Sequence, residues 1–209
     1  MKRRMHPGGG PSWQISTDRW NQAFDWALWI RAAERIPVPA GGLVPGPLLI
    51  NLPPEPSGVS IPPGAALAEG WRDWWESLAR MPRWQPDPLA GRPPQLAYLP
   101  PDFPGLSRYP ELQRIAVDRW REAHDWHTAR KAAGLDRYQP QPRESLLVLE
   151  IERELGRRVP AFDLEFILLP VLDEEIREVT PTRYLVPESV YDGPQWTDRL
   201  RPLVRHLAT

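Results

Sequence analysis

His124 and His127 stand one helical turn apart, on the inward stripe of a helix that opens near Pro110. Two imidazoles on one face can offer two ligands to a metal, or a general base and its partner. No third ligand joins them, because Asp118, Glu122 and Asp125 project from the other side of that helix, and neither a metal nor a cofactor is expected. His124 and His127 are therefore the candidate catalytic residues, weighed against a plain role at the edge of the core or at a contact between subdomains.

Carboxylates give a weaker signal. Asp25 and Asp125 each precede a tryptophan, and Asp18 and Asp118 each precede Arg-Trp, which invites comparison with the acid pairs of glycosidases. The spacing fixes no separation between them, so they are read as helix-terminus and i, i+4 charges. Asp173, Glu174, Glu175 and Glu178 form an acidic stretch with no glycine-punctuated ligand loop. The chain contains no G-x-x-x-x-G-K-[ST], G-x-G-x-x-G opening a helix, G-x-S-x-G or H-E-x-x-H, and nucleotide-dependent and standard hydrolase chemistry lose support.

Tryptophan supplies the other functional signal, with eight of 11 in the first 84 residues. On a helical wheel Trp29 falls beside Asp18, Gln22 and Asp25, and Trp84 lies among prolines, so both are candidates for the surface, weighed for Trp29 against packing on the neighbouring subdomain or connector. Exposed tryptophan beside arginine suits a protein partner. The expected interface comprises Trp29, Trp84, Arg157, Arg158, Asp173, Glu174 and Glu175. The leading expectation is a non-catalytic, intracellular interaction or assembly component that binds another protein or joins a homo- or hetero-oligomer. The alternative is an enzyme or small-ligand binder with a cleft between two halves, near His124 and His127.

Those halves come from a repeat. Asp18-Arg19-Trp20-Asn21-Gln22-Ala23-Phe24-Asp25-Trp26 recurs as Asp118-Arg119-Trp120-Arg121-Glu122-Ala123-His124-Asp125-Trp126, and Leu48-Leu49-Ile50 corresponds to Leu146-Leu147-Val148. The predicted fold is α+β, a tandem pseudo-duplication of a helix–strand–strand–helix subdomain joined by a Pro-rich connector. Its parts are a disordered tail (1–11), a first pseudo-repeat (12–81), the connector (82–109) and a second pseudo-repeat (110–209) with an inserted segment (150–182). Thr17 or Asp18 is expected to cap the first helix, and Pro202 to kink the last. Strands are expected at Leu48–Ile50, Leu146–Val148, Leu164–Leu169 and, in the connector, Gln95–Leu99.

Composition frames these readings. The 209 residues carry 28 prolines and no cysteine, which removes disulfides, thiolate metal sites and cysteine nucleophiles. Basic and acidic residues nearly balance, for a net charge of −1, and are interleaved, so nucleic acid is not expected as a partner. No apolar run approaches the roughly 20 residues of a membrane span. Met-Lys-Arg-Arg is followed by glycines and prolines instead of an apolar stretch, so a cytoplasmic protein without membrane contact is expected.

Overall fold

The computed structural model describes residues 13–49, 64–81, 97–135 and 142–208. The expected tail, most of the connector and Trp84 lie outside them. The chain combines helices with one four-stranded mixed sheet, an α+β architecture. The strands are β1 (Gln14–Asp18), β2 (Asp163–Leu169), β3 (Arg177–Thr180) and β4 (Arg183–Pro187). Their order is β1-β2-β4-β3, with β1, β2 and β4 parallel and β3 antiparallel at the edge.

The period of two in β2 sorts its side chains onto two cores. Leu164, Phe166 and Leu168, with Tyr184 and Val186 of β4, meet α4 (Arg143–Leu155) and α6 (Trp196–Leu207). Ile167, Leu169 and Leu185 face the other way, into a larger core built by α1 (Gln22–Ala33), α2 (Ala65–Arg80) and α3 (Pro110–Leu135). A short helix, α5 (Glu188–Asp192), follows β4 directly.

Four local expectations need correction. Leu146–Val148 lie in α4, not in a strand; a short apolar run does not separate the two states, and here Ile151 continues it at helical spacing until Gly156 closes the helix at φ +63°. Leu48 makes a single bridge to Val171, while Ile50 is outside the described residues. Thr17 and Asp18 belong to β1, and the first helix is capped by Asn21, whose Oδ1 accepts from the Phe24 N–H. Of Gln95–Leu99, Ala97 and Tyr98 form a tight helical turn.

Trp29 is also corrected, because it is buried at 4 % exposure. The wheel reading assumed that α1 has a solvent side, but Phe24, Trp26, Ala27, Leu28, Trp29, Ile30 and Ala33 are all buried, so the helix is enclosed on all sides. Arg119 of α3 covers the Trp29 ring at 4.9 Å and pairs with the buried Glu34 at 2.5 Å.

The helices of the larger core interlock through tryptophan N–H groups. Trp71 donates to the Ala27 carbonyl at 2.7 Å, and Trp75 to the Leu43 carbonyl at 2.6 Å. Gly70 on the same helix admits the ring of Tyr109, the residue just before α3. A Cβ at residue 70 would lie 2.7 Å from Tyr109 Cγ and 2.9 Å from Cδ1. Gly70→Ala is therefore expected to lower stability by about 1–2 kcal/mol in urea unfolding, although alanine is the better helix former by about 1 kcal/mol. A more stable variant would show that the ring simply moves aside.

Candidate functional site

β1 and β4 run parallel and end on the same side of the sheet, at Asp18 and Pro187. The residues that follow, Arg19 and Glu188, are thereby delivered to one place. Open sheets of parallel strands present their ligands there, beyond the carboxyl ends. α1 leaves β1 at this edge, and α3 crosses it in the opposite direction. Trp20 lies against Gly134 at one end of the pair, and Glu34 meets Arg119 at the other.

His127 is on the face of α3 turned toward α1. Its Nδ1 lies 2.7 Å from Oδ2 of Asp25, and both side chains are buried. With the carboxylate as acceptor, Nδ1 carries the proton and Nε2 keeps its lone pair in the neutral ring. Arg130, one turn further along α3, donates to the same Asp25 oxygen at 2.7 Å. Its other terminal nitrogen donates to the Arg19 carbonyl at 3.1 Å and to Oε1 of Glu188. Arg19 in turn grips Asp192 through two nitrogens at 2.9 and 2.5 Å, with Glu188 at 3.6 Å. The result is a polar path from the core to the surface, in which Asp25 is 2 % exposed, Arg130 14 % and Asp192 54 %.

The depth of this path moves its carboxyl groups. Burial raises Asp25 above the ordinary aspartate value; His127 and Arg130 pull it back, and nearby Asp18 adds to the rise. Burial likewise raises Glu188, against the pull of Arg130 and Arg19. A carboxyl easier to protonate in the folded chain gives stability that is complete below its unfolded pKa and lost as pH rises through the folded one. The difference in unfolding free energy between wild type and Glu188→Gln is therefore expected to fall as pH rises from the ordinary value of 4.5 toward neutrality. Urea titrations at a series of pH values check this, and a difference that grows with pH would reverse the sign.

His124 takes a separate partner. Its Nδ1 lies 2.9 Å from Nε2 of Gln22, its ring meets Trp26 and Trp120 at 6.1 and 6.2 Å, and it is 6.4 Å from the His127 ring. The two histidines thus share a face, each tied to a different α1 residue one turn apart. Among the described residues no group of three or more His, Asp or Glu side chains could hold a metal ion.

The structure places the other sequence candidates elsewhere. Asp173 accepts from the Gly46 and Glu175 N–H groups, and together with Glu175 it holds the buried Arg177 at 2.6 and 2.8 Å. The Glu174 carbonyl accepts from Arg199. Arg157 is exposed and donates to the Ala208 carbonyl at 2.6 Å, and Arg158 is exposed. Asp118 pairs with Arg114 at 3.0 Å on the outside of α3, so no Asp18–Asp118 dyad forms. Arg19, Arg130, Glu188 and Asp192 were not singled out by sequence reasoning. Arg19 follows β1, Glu188 and Asp192 open and close α5, and Arg130 lies inside α3, so no single local pattern marked them.

Comparison with family models, curated proteins and solved structures finds no match to this chain.

Proposed function

We propose that the protein binds, and carries out proton transfer on, a small polar molecule at the carboxyl ends of β1 and β4, with His127 as the acid–base group. One observation carries this reading: a buried histidine whose Nδ1 is fixed by a buried aspartate, on a path of charged side chains that leads to the surface. Asp25 sets the tautomer and orientation of His127, and Arg130 opposes the protonation of Asp25 and holds it in place. Gln22 does for His124 what Asp25 does for His127, without a charge. The site lies between α1 and α3, which carry the repeated motif and pack antiparallel.

A thermal-shift screen of small polar metabolites tests the reading. A true ligand at 100 times its Kd contributes about 2.7 kcal/mol, worth roughly 5–10 °C for a chain of this size. The expected result is a compound that raises the melting point of wild type and not that of His127→Gln. A screen without such a compound, or one whose compounds act equally on both proteins, refutes the proposal.

The second reading is an interaction component with a protein partner, in the cytoplasm and away from membranes and nucleic acid. The burial of Trp29 takes away part of its support. Its favourable observation is on α4, where Leu146 and Leu149 are 59 % and 48 % exposed on one side of the helix. Among the described residues no helix is long and apolar enough to cross a membrane. Light scattering of wild type and Leu146→Glu separates the cases for self-association: a dimer that becomes a monomer supports this reading, and two monomers speak against it.

A further inference from the structure

Two guanidinium groups converge where the polar path reaches the surface, and the chain's own acids fill the space between them. Oε1 of Glu188 accepts from Arg130 and has Arg19 at 3.6 Å, while Arg19 turns its planar fork on both oxygens of Asp192. That fork-to-carboxylate geometry is the one by which arginine recognises carboxylates and phosphates in general. Both acids come from α5, a five-residue helix with no buried residue. The helix has a separate anchor, because Tyr191 packs on Trp196 at 4.9 Å and its hydroxyl lies 3.5 Å from that of Thr17. Glu188 and Asp192 are thus not needed to keep α5 attached.

Charge points the same way. With all of them ionised, Asp25, Glu188, Asp192, Arg19 and Arg130 leave one net negative charge. With Glu188 and Asp192 displaced, Arg19 and Arg130 face Asp25 alone, which leaves one net positive charge in a partly buried place on the path to His127. We propose that Arg19 and Arg130 form a clamp for an oxyanion, the carboxylate or phosphate group of a small-molecule ligand, and that Glu188 and Asp192 occupy the clamp when no ligand is bound. The proposal deepens the acid–base reading and rests on it for the role of His127. A ligand that docks its oxyanion on the two arginines displaces the α5 acids and lies next to His127.

Isothermal titration of the full chain with inorganic phosphate, and separately with acetate, at pH 7 and constant ionic strength tests the clamp. Glu188→Gln/Asp192→Asn is expected to bind at least one of the two anions ten-fold or more tighter than wild type. Adding Arg19→Met to that variant should abolish the gain. Tighter phosphate binding assigns the clamp to phosphate esters, and tighter acetate binding assigns it to carboxylates. If the double variant does not retain the wild-type near-ultraviolet circular dichroism, Glu188→Gln alone replaces it, with a gain of three-fold or more expected. Unchanged affinity for both anions, or a gain that survives Arg19→Met, overturns the proposal. His127→Gln should leave anion binding within two-fold in the variant background, so a metabolite screen that yields no His127-dependent compound, together with retained anion binding, would fail the acid–base reading and spare the clamp.

Discussion

Asp25→Ala should lower the free energy of unfolding by about 3 kcal/mol, a large part of the stability of an ordinary domain. The substitution leaves the His127 Nδ1–H without its acceptor and removes the deeper of the two carboxylate partners of Arg130. Breaking a buried ion pair from one side costs about 3–5 kcal/mol because the remaining charge stays in a poor solvent. The lower end applies here, since Arg130 keeps Glu188. Asp25→Asn is expected to cost less, about 1–2 kcal/mol. Its amide has the shape of the protonated acid, and burial already moves Asp25 toward that neutral form. Urea unfolding of both variants decides the matter: equal losses would place the whole effect in the charge of Asp25, and a loss confined to Asp25→Ala would mean that the charge contributes nothing beyond its shape.

Trp71→Ala is the other large effect, expected at about 4 kcal/mol. Trp71 is fully buried, stacks on Trp75 at 5.3 Å, lies under the Arg31 guanidinium at 5.0 Å and donates to the Ala27 carbonyl. Truncation to a methyl group opens a cavity at the contact of α1 and α2 and removes all three contacts. Trp71→Phe restores most of the ring and omits the N–H, so it should recover all but about 1–2 kcal/mol of the loss. A thermal melt in which both variants fall equally would place the whole effect in the hydrogen bond instead of the cavity.

Where the sequence was legible, one physical rule dominated the segment. Trp71, Trp74, Trp75 and Leu78 repeat at helical spacing and form the buried face of α2, and Leu164–Leu169, rich in apolar residues and bounded by proline, is the core of β2. Where two rules competed, the reading failed. The run Leu146–Val148 has strand-like composition, but its partners lie at Ile151 and on α6, and the tertiary context settled it as helix. Trp29 looked exposed because its neighbours on the wheel are polar; one of them, Asp25, is itself buried, satisfied by His127 and Arg130 from a helix a hundred residues away. The same distance hid the site. His124 and His127 were visible as a departure from the first copy of the repeat, and Asp25 as a carboxylate. Their union with Arg19, Arg130 and Glu188 depends on β1 and β4, which flank β2, ending on the same side of the sheet, and no local pattern encodes that.

The pairing of β1 with β2 also governs when this protein can become itself. Ser16 hydrogen-bonds to the Leu164 carbonyl across 148 positions, and every residue of β1 finds its partner in the last quarter of the chain. On the ribosome, α1, α2 and α3 emerge early and can gather their tryptophans into a cluster, yet the first strand must wait for β2 to be made. Contacts so distant in sequence slow folding, because loop closure is required before the pairing is rewarded. Through that interval the open edge of β1, Gln-Ile-Ser-Thr-Asp, has neither proline nor lysine to discourage a foreign strand. The nascent chain therefore holds β1 unpaired until β2 is made, and a chaperone that shields that strand would raise the yield of the native protein.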